Sequence, residues 1–116
     1  MPPPPKAGTE LDRRIAKEIF GAKKLDRVPP YSTDDAAADL VIARLQSPTL
    51  RCSLEQFSGG WLCVWWGKIP GKKENRSERL STATARTRAL AICRSVLHLP
   101  AARRHTESEA HPPSSP

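Results

Sequence analysis

The stretch that most constrains the fold is Leu50–Trp66, LRCSLEQFSGGWLCVWW. Two runs rich in aliphatic and aromatic residues flank Ser58-Gly59-Gly60, the pattern of an antiparallel hairpin closed by a glycine turn. Side chains alternate between the faces of a strand, so the turn length decides which residues share a face. With 58–60 as a three-residue turn, Phe57 stands opposite Trp61. One face then carries Leu50, Cys52, Leu54, Gln56, Leu62, Val64 and Trp66, is almost wholly apolar, and is the expected core face. The other carries Arg51, Ser53, Glu55, Phe57, Trp61, Cys63 and Trp65. A two-residue turn slips the pairing by one residue and mixes the two sets, so the cleaner sorting selects the longer turn.

The aromatic face is open to two uses. Phe57, Trp61 and Trp65 either form an exposed partner surface or are covered by a helix. Leu11, Ile15 and Ile19 recur at four-residue spacing and need burial. The economical arrangement docks this first helix on the aromatics, so that Trp61 or Trp65 touches its apolar stripe.

Along the chain, Thr9 is the expected cap of the first helix, with Asp12 three residues on and Gly21 at its end. A Pro29-Pro30-Tyr31 arm leads to a second helix, capped by Ser32 and running to about Gln46, with Ala37, Ala38, Val41, Ile42 and Leu45 on one face. Leu40 falls off that face, within reach of the first helix. After the hairpin, residues 67–79 form a loop of prolines, glycines and charges, followed by a short third strand at Arg79–Ala83. The last helix is expected from near Thr84 to Leu99, with Ala85, Ala89, Ile92, Cys93, Val96 and Leu97 inward and Thr87, Ala91, Arg94 and His98 outward; Pro100 stops it. Helix, helix, strand, strand, short strand, helix is an α+β layer fold.

The two ends, 1–8 and 100–116, are rich in Pro, Ala, Ser and charge and have no apolar period, so they are expected to be disordered. One α+β domain then spans 9–99. No membrane span or signal-peptide pattern is present, and the expected compartment is the cytoplasm. The three cysteines, Cys52, Cys63 and Cys93, lie in apolar runs and read as buried reduced thiols. In the register above, Cys52 and Cys63 point to opposite faces and should not bond to each other.

Three stretches together resemble the phage ABA sandwich domain family, small proteins of bacteriophages and prophages. They are Leu11-Asp12 to Phe20-Gly21, Pro29-Pro30-Tyr31-Ser32-Thr33-Asp34 with the alanine-rich helix after it, and Leu90-Ala91-Ile92-Cys93-Arg94. With the hairpin they span nearly all of the expected domain. The chain departs from the usual pattern in its long basic loop at 67–79 and in Arg88-Ala89 before Leu90. The resemblance implies a small α/β/α layered sandwich with both sheet faces covered. It also implies a phage-encoded protein acting in the bacterial host cell during infection or lysogeny.

No Ser/His/Asp set, paired carboxylates, glycine-rich phosphate loop or Cys/His metal spacing is apparent, so no catalytic, cofactor or metal residues are expected. Tyr31 is expected to pack as a staple at the start of the second helix. The formal net charge is +7. Lys68, Lys72, Lys73, Arg76 and Arg79, interleaved with Glu74 and Glu78, leave the loop at +3, and Arg86 and Arg88 extend it into the last helix. Such a region suits a phosphate backbone, and the element order is topologically like that of a double-stranded RNA-binding module. The expectation is therefore a non-enzymatic protein that binds a protein partner. The alternative is a nucleic-acid-binding module using the basic 68–88 region.

Overall fold

The computed structural model describes residues 4–68 and 77–100. The expected disorder of the C-terminal tail falls outside the described residues, as do Lys72, Lys73 and Arg76. The elements follow the expected order: α1 (Thr9–Glu18), α2 (Asp35–Leu45), β1 (Leu50–Phe57), β2 (Gly60–Gly67), β3 (Glu78–Ala85) and α3 (Arg88–Leu97). They make an α+β fold with one antiparallel sheet of order β1-β2-β3. The third strand is longer than the 79–83 expected. Ala85 still pairs with Trp61, which delays the last helix from Thr84 to Arg88. Thr87 caps it, its hydroxyl accepting from Leu90 N at 3.2 Å.

The hairpin register differs from the expected one by a residue. Phe57 pairs with Gly60, so the turn is Ser58-Gly59. Gly60 belongs to β2, and its backbone explains why. Its φ is +153°, and a Cβ there would stand 2.2 Å from the Ala85 carbonyl oxygen. The close approach of β3 requires a glycine in the strand, which leaves only two residues for the turn. The faces change accordingly. Leu50, Cys52, Leu54, Gln56, Trp61, Cys63 and Trp65 share one face, and Arg51, Ser53, Glu55, Phe57, Leu62, Val64 and Trp66 the other. The first is the core face, where Cys63 and Trp65 are fully buried.

Helix α3 lies on that core face. Ala89, Ala91, Ile92, Cys93, Ser95, Val96 and Leu97 are all buried. Ala91, expected to point away, is buried because α3 is the middle of the molecule: it packs on β2 and β3, and α1 and α2 pack on it. Leu11, Ile15 and Ile19 are buried as their spacing requires. The helix that covers Trp65 is nonetheless α3, whose Ser95 hydroxyl accepts from the indole Nε1 at 2.9 Å. The proposed docking of the first helix on the aromatics gives way to docking of α1 on α3. Leu40, expected near the first helix, is 51% exposed.

The helix starts also differ from the sequence expectation. Gly8 is the N-cap of α1, and no side chain caps it. Asp12 is drawn away to Ser32, accepting from its N–H at 2.8 Å and its hydroxyl at 2.6 Å. This buried carboxylate ties α1 to the segment before α2. Asp34, not Ser32, caps α2 by accepting from Ala37 N at 2.9 Å. Gly21 has the expected left-handed conformation, φ +66°, and Ala22 N closes back on Ala16 O at 2.9 Å. Tyr31 is buried and stacks on Phe20 with ring centroids 5.1 Å apart.

Candidate binding face

The outer face of the sheet is built in cross-strand rows. Arg51, Trp66 and Arg79 form one row, Ser53, Val64 and Thr82 the next, and Glu55, Leu62 and Thr84 the third. An irregularity in the β2–β3 pairing between Trp65 and Trp66 sets Arg79 beside Trp66. Phe57 ends the face at the turn, its ring 3.3 Å from where a Cβ on Gly59 would sit.

The large side chains on this face meet water. Phe57 is 47% and Trp66 40% exposed, Leu62 is half-buried, and only Val64, in the central strand, is buried. Arg51, Ser53, Glu55, Arg79, Thr82 and Thr84 are exposed or half-exposed around them. Trp66 has a set orientation, because its Nε1 donates to Ser53 Oγ at 3.2 Å and so ties the indole to β1. An aromatic ring held in place, with an arginine on each neighbouring strand, can stack on a planar group and attract an anion beside it.

Of the residues expected to form a partner surface, only Phe57 lies here. Trp61 and Trp65 belong to the core face, and Trp66, assigned from sequence to the core, is the tryptophan at the surface. The basic residues also separate. Arg79 joins the outer face, Lys68 and Arg86 are exposed near the strand ends, and Lys72, Lys73 and Arg76 lie outside the described residues. Arg88 is committed to structure: it bonds Asp39 at 2.7 Å and lies 3.9 Å from Asp35, tying α3 to α2.

Behind the face, the buried polar groups satisfy one another. Ser95 Oγ accepts from Trp65 and lies 2.8 Å from Ile92 O and 3.1 Å from Cys63 Sγ. Ser81 Oγ donates to Ser95 O. Cys52 and Cys63, expected on opposite faces, share the core face with their Sγ atoms 3.4 Å apart. The Cys52 hydrogen bond lowers the Cys63 pKa and raises that of Cys52. Burial pushes the Cys93 thiol up to about 12. Cys63 and Cys93 are buried in the core, whereas Cys52, expected to be buried as well, is half-buried against it.

A concavity of about 560 Å³ lies between residues 5–8 and the start of α1. Its ionisable lining is Lys6, Glu10 and Arg14. Among the described residues, no group of three or more His, Cys, Asp or Glu is placed to hold a metal ion. No described helix is long and apolar enough to cross a membrane. No family model, curated protein or solved structure matches the chain.

Proposed function

We propose that this chain is a small, non-enzymatic accessory protein of a bacteriophage or prophage, acting in the cytoplasm of the bacterial host. It works by binding a protein partner on the outer face of its sheet. The phage assignment rests on the resemblance of the three stretches described above. The binding face rests on one observation: Phe57 and Trp66 stand in water beside Leu62, on a sheet whose other face is covered by α3. Burying exposed apolar surface of this kind contributes about 25 cal/mol per Å², and aromatic residues commonly anchor such interfaces. The test is capture from infected or lysogenic cells by the parent protein and by a Phe57→Ser/Trp66→Ser variant of unchanged fold. A protein retained by the parent and released by the variant supports the proposal. Equal retention by both removes the outer face from the binding reaction.

The row Arg51–Trp66–Arg79 favours a second use, binding of nucleic acid by stacking on Trp66 and phosphate pairing with the arginines. Affinity for single-stranded and duplex oligonucleotides, measured across salt concentrations, tests it. Removing one phosphate-binding guanidinium, in Arg51→Gln or in Arg79→Gln, should lower the salt slope by roughly one. A protein that binds neither nucleic acid at low salt excludes this use.

A further inference from the structure

A three-stranded sheet has two edges, and here they are treated differently. On β3, the outward carbonyls meet side chains of α3. Arg94 donates to Thr84 O at 3.1 Å, and His98 Nδ1 lies 3.3 Å from Thr82 O. On β1, Leu50 exchanges both backbone bonds with Ser47, at 2.9 and 3.2 Å. Cys52 N reaches only the Gln46 side chain, at 3.4 Å. The alternation of a strand then directs the backbone groups of Leu54 and Gln56 outward as well. Among the described residues they meet no partner.

Edge strands of soluble proteins are commonly blocked by proline, by covering segments or by charge. Leu50–Phe57 contains no proline. Its charges are Arg51 and Glu55, both exposed, on one face, and with no hydrogen bond or ion pair among the described residues. Charges of one sign would repel a second copy, whereas this pair is self-complementary. An antiparallel, two-fold pairing of β1 with β1 centred on Ser53 sets Arg51 of each copy opposite Glu55 of the other. It also brings Cys52 opposite Leu54, and these are residues whose backbone groups face outward, so the ladder bonds form in phase. A slip of one residue places outward groups against inward ones. Centring on Glu55 opposes like charges.

We propose that two copies of this chain pair through the β1 edge in that register, giving a closed two-fold dimer with a continuous six-stranded sheet. The partner is a second copy, and the inference does not depend on what the outer face binds. The pairing joins the two outer faces, so that Phe57 and Trp66 of both copies lie on one surface. Ser47 holds the backbone groups of Leu50, so the pairing is limited to residues 51–55, with Cys52 N exchanging its long bond to Gln46 for one to the second copy; the interface is correspondingly small and the dimer should be concentration-dependent.

Sedimentation velocity of the full chain from about 1 µM to about 1 mM tests this, at concentrations matched to a weak interface. The parent should shift from monomer to dimer across the range. Arg51→Glu and Glu55→Arg should each weaken association about tenfold or more by opposing like charges, and the double reversal should restore it to within about threefold. Leu54→Pro removes an outward N–H that bonds nothing among the described residues, and should abolish the dimer while leaving the circular dichroism spectrum unchanged. A parent that stays monomeric throughout overturns the proposal. So does a dimer that survives Leu54→Pro, or single reversals that the double reversal fails to rescue.

Discussion

Replacing Ser95 by alanine tests how the sheet is joined to the helix layer. The Ser95 hydroxyl is the acceptor for Trp65 Nε1 at 2.9 Å, and both residues are fully buried. In Ser95→Ala the indole N–H is left in the core without a partner, which costs about 1–3 kcal/mol. Alanine is the better helix former by roughly 0.5 kcal/mol, which offsets part of that loss. The orphaned donor is the larger effect, so the net loss should be about 0.5–2.5 kcal/mol; at about 4–8 °C per kcal/mol for a domain of this size, Tm should fall by about 2–20 °C. Urea and thermal unfolding of the parent, Ser95→Ala, Trp65→Phe and the double variant complete the cycle. Phenylalanine has no N–H to orphan, so Ser95→Ala should cost almost nothing in the Trp65→Phe background. The coupling should be about 1 kcal/mol or more. If Ser95→Ala melts with the parent, or costs the same in both backgrounds, the Trp65–Ser95 bond does not join the layers.

Gly60→Ala should destabilise the fold severely and loosen β3, because its Cβ would meet Ala85 O at 2.2 Å; the same substitution at Gly59, which meets only the Phe57 ring at 3.3 Å, should be mild. Equal tolerance at 59 and 60, measured by Tm, would restore the three-residue turn. Trp65→Ala should cost about 3–5 kcal/mol as a fully buried aromatic, whereas the 40% exposed Trp66 should tolerate Ser with a far smaller loss in urea unfolding. Ile92→Ala should cost about 2–5 kcal/mol, since Ile92 is fully buried in the core. Burial raises the Cys93 thiol from 9.0 to about 12, so folding keeps a proton that the unfolded chain releases. This stabilisation is fully present below pH 9.0 and is lost as pH rises toward 12. Burial raises Tyr31 from 10.0 in the same direction. Tm should therefore decline above pH 9.0, and Cys93→Val should flatten that decline.

Local chemistry alone placed most of the elements. The four-residue spacing of Leu11, Ile15 and Ile19 marks one helix, and the Pro29-Pro30 arm followed by Ser32 and two aspartates marks the start of another, although not which of them caps it. The Ser-Gly-Gly turn between two apolar runs marks the hairpin. Each signal arises from residues near one another in the chain, so each is legible in one dimension. The faces are a different matter. Both faces of β2 are apolar, with Trp61, Cys63 and Trp65 on one and Leu62, Val64 and Trp66 on the other, so alternation cannot say which meets the core. The choice rests on Gly60, where β3 approaches so closely that no side chain fits, and Ala85, which meets it there, is 25 residues further along the chain. The same one-residue difference brings Cys52 to Cys63 and puts Trp66 in water beside Arg51 and Arg79. Asp12 and Arg88 were likewise legible as charges but not in their roles, because Ser32 and Asp39, their partners, are distant in sequence. Composition and periodicity determined which segments are helix and strand. Only the packing of β3 and α3 decided which side of the sheet faces the core and which is left exposed to water.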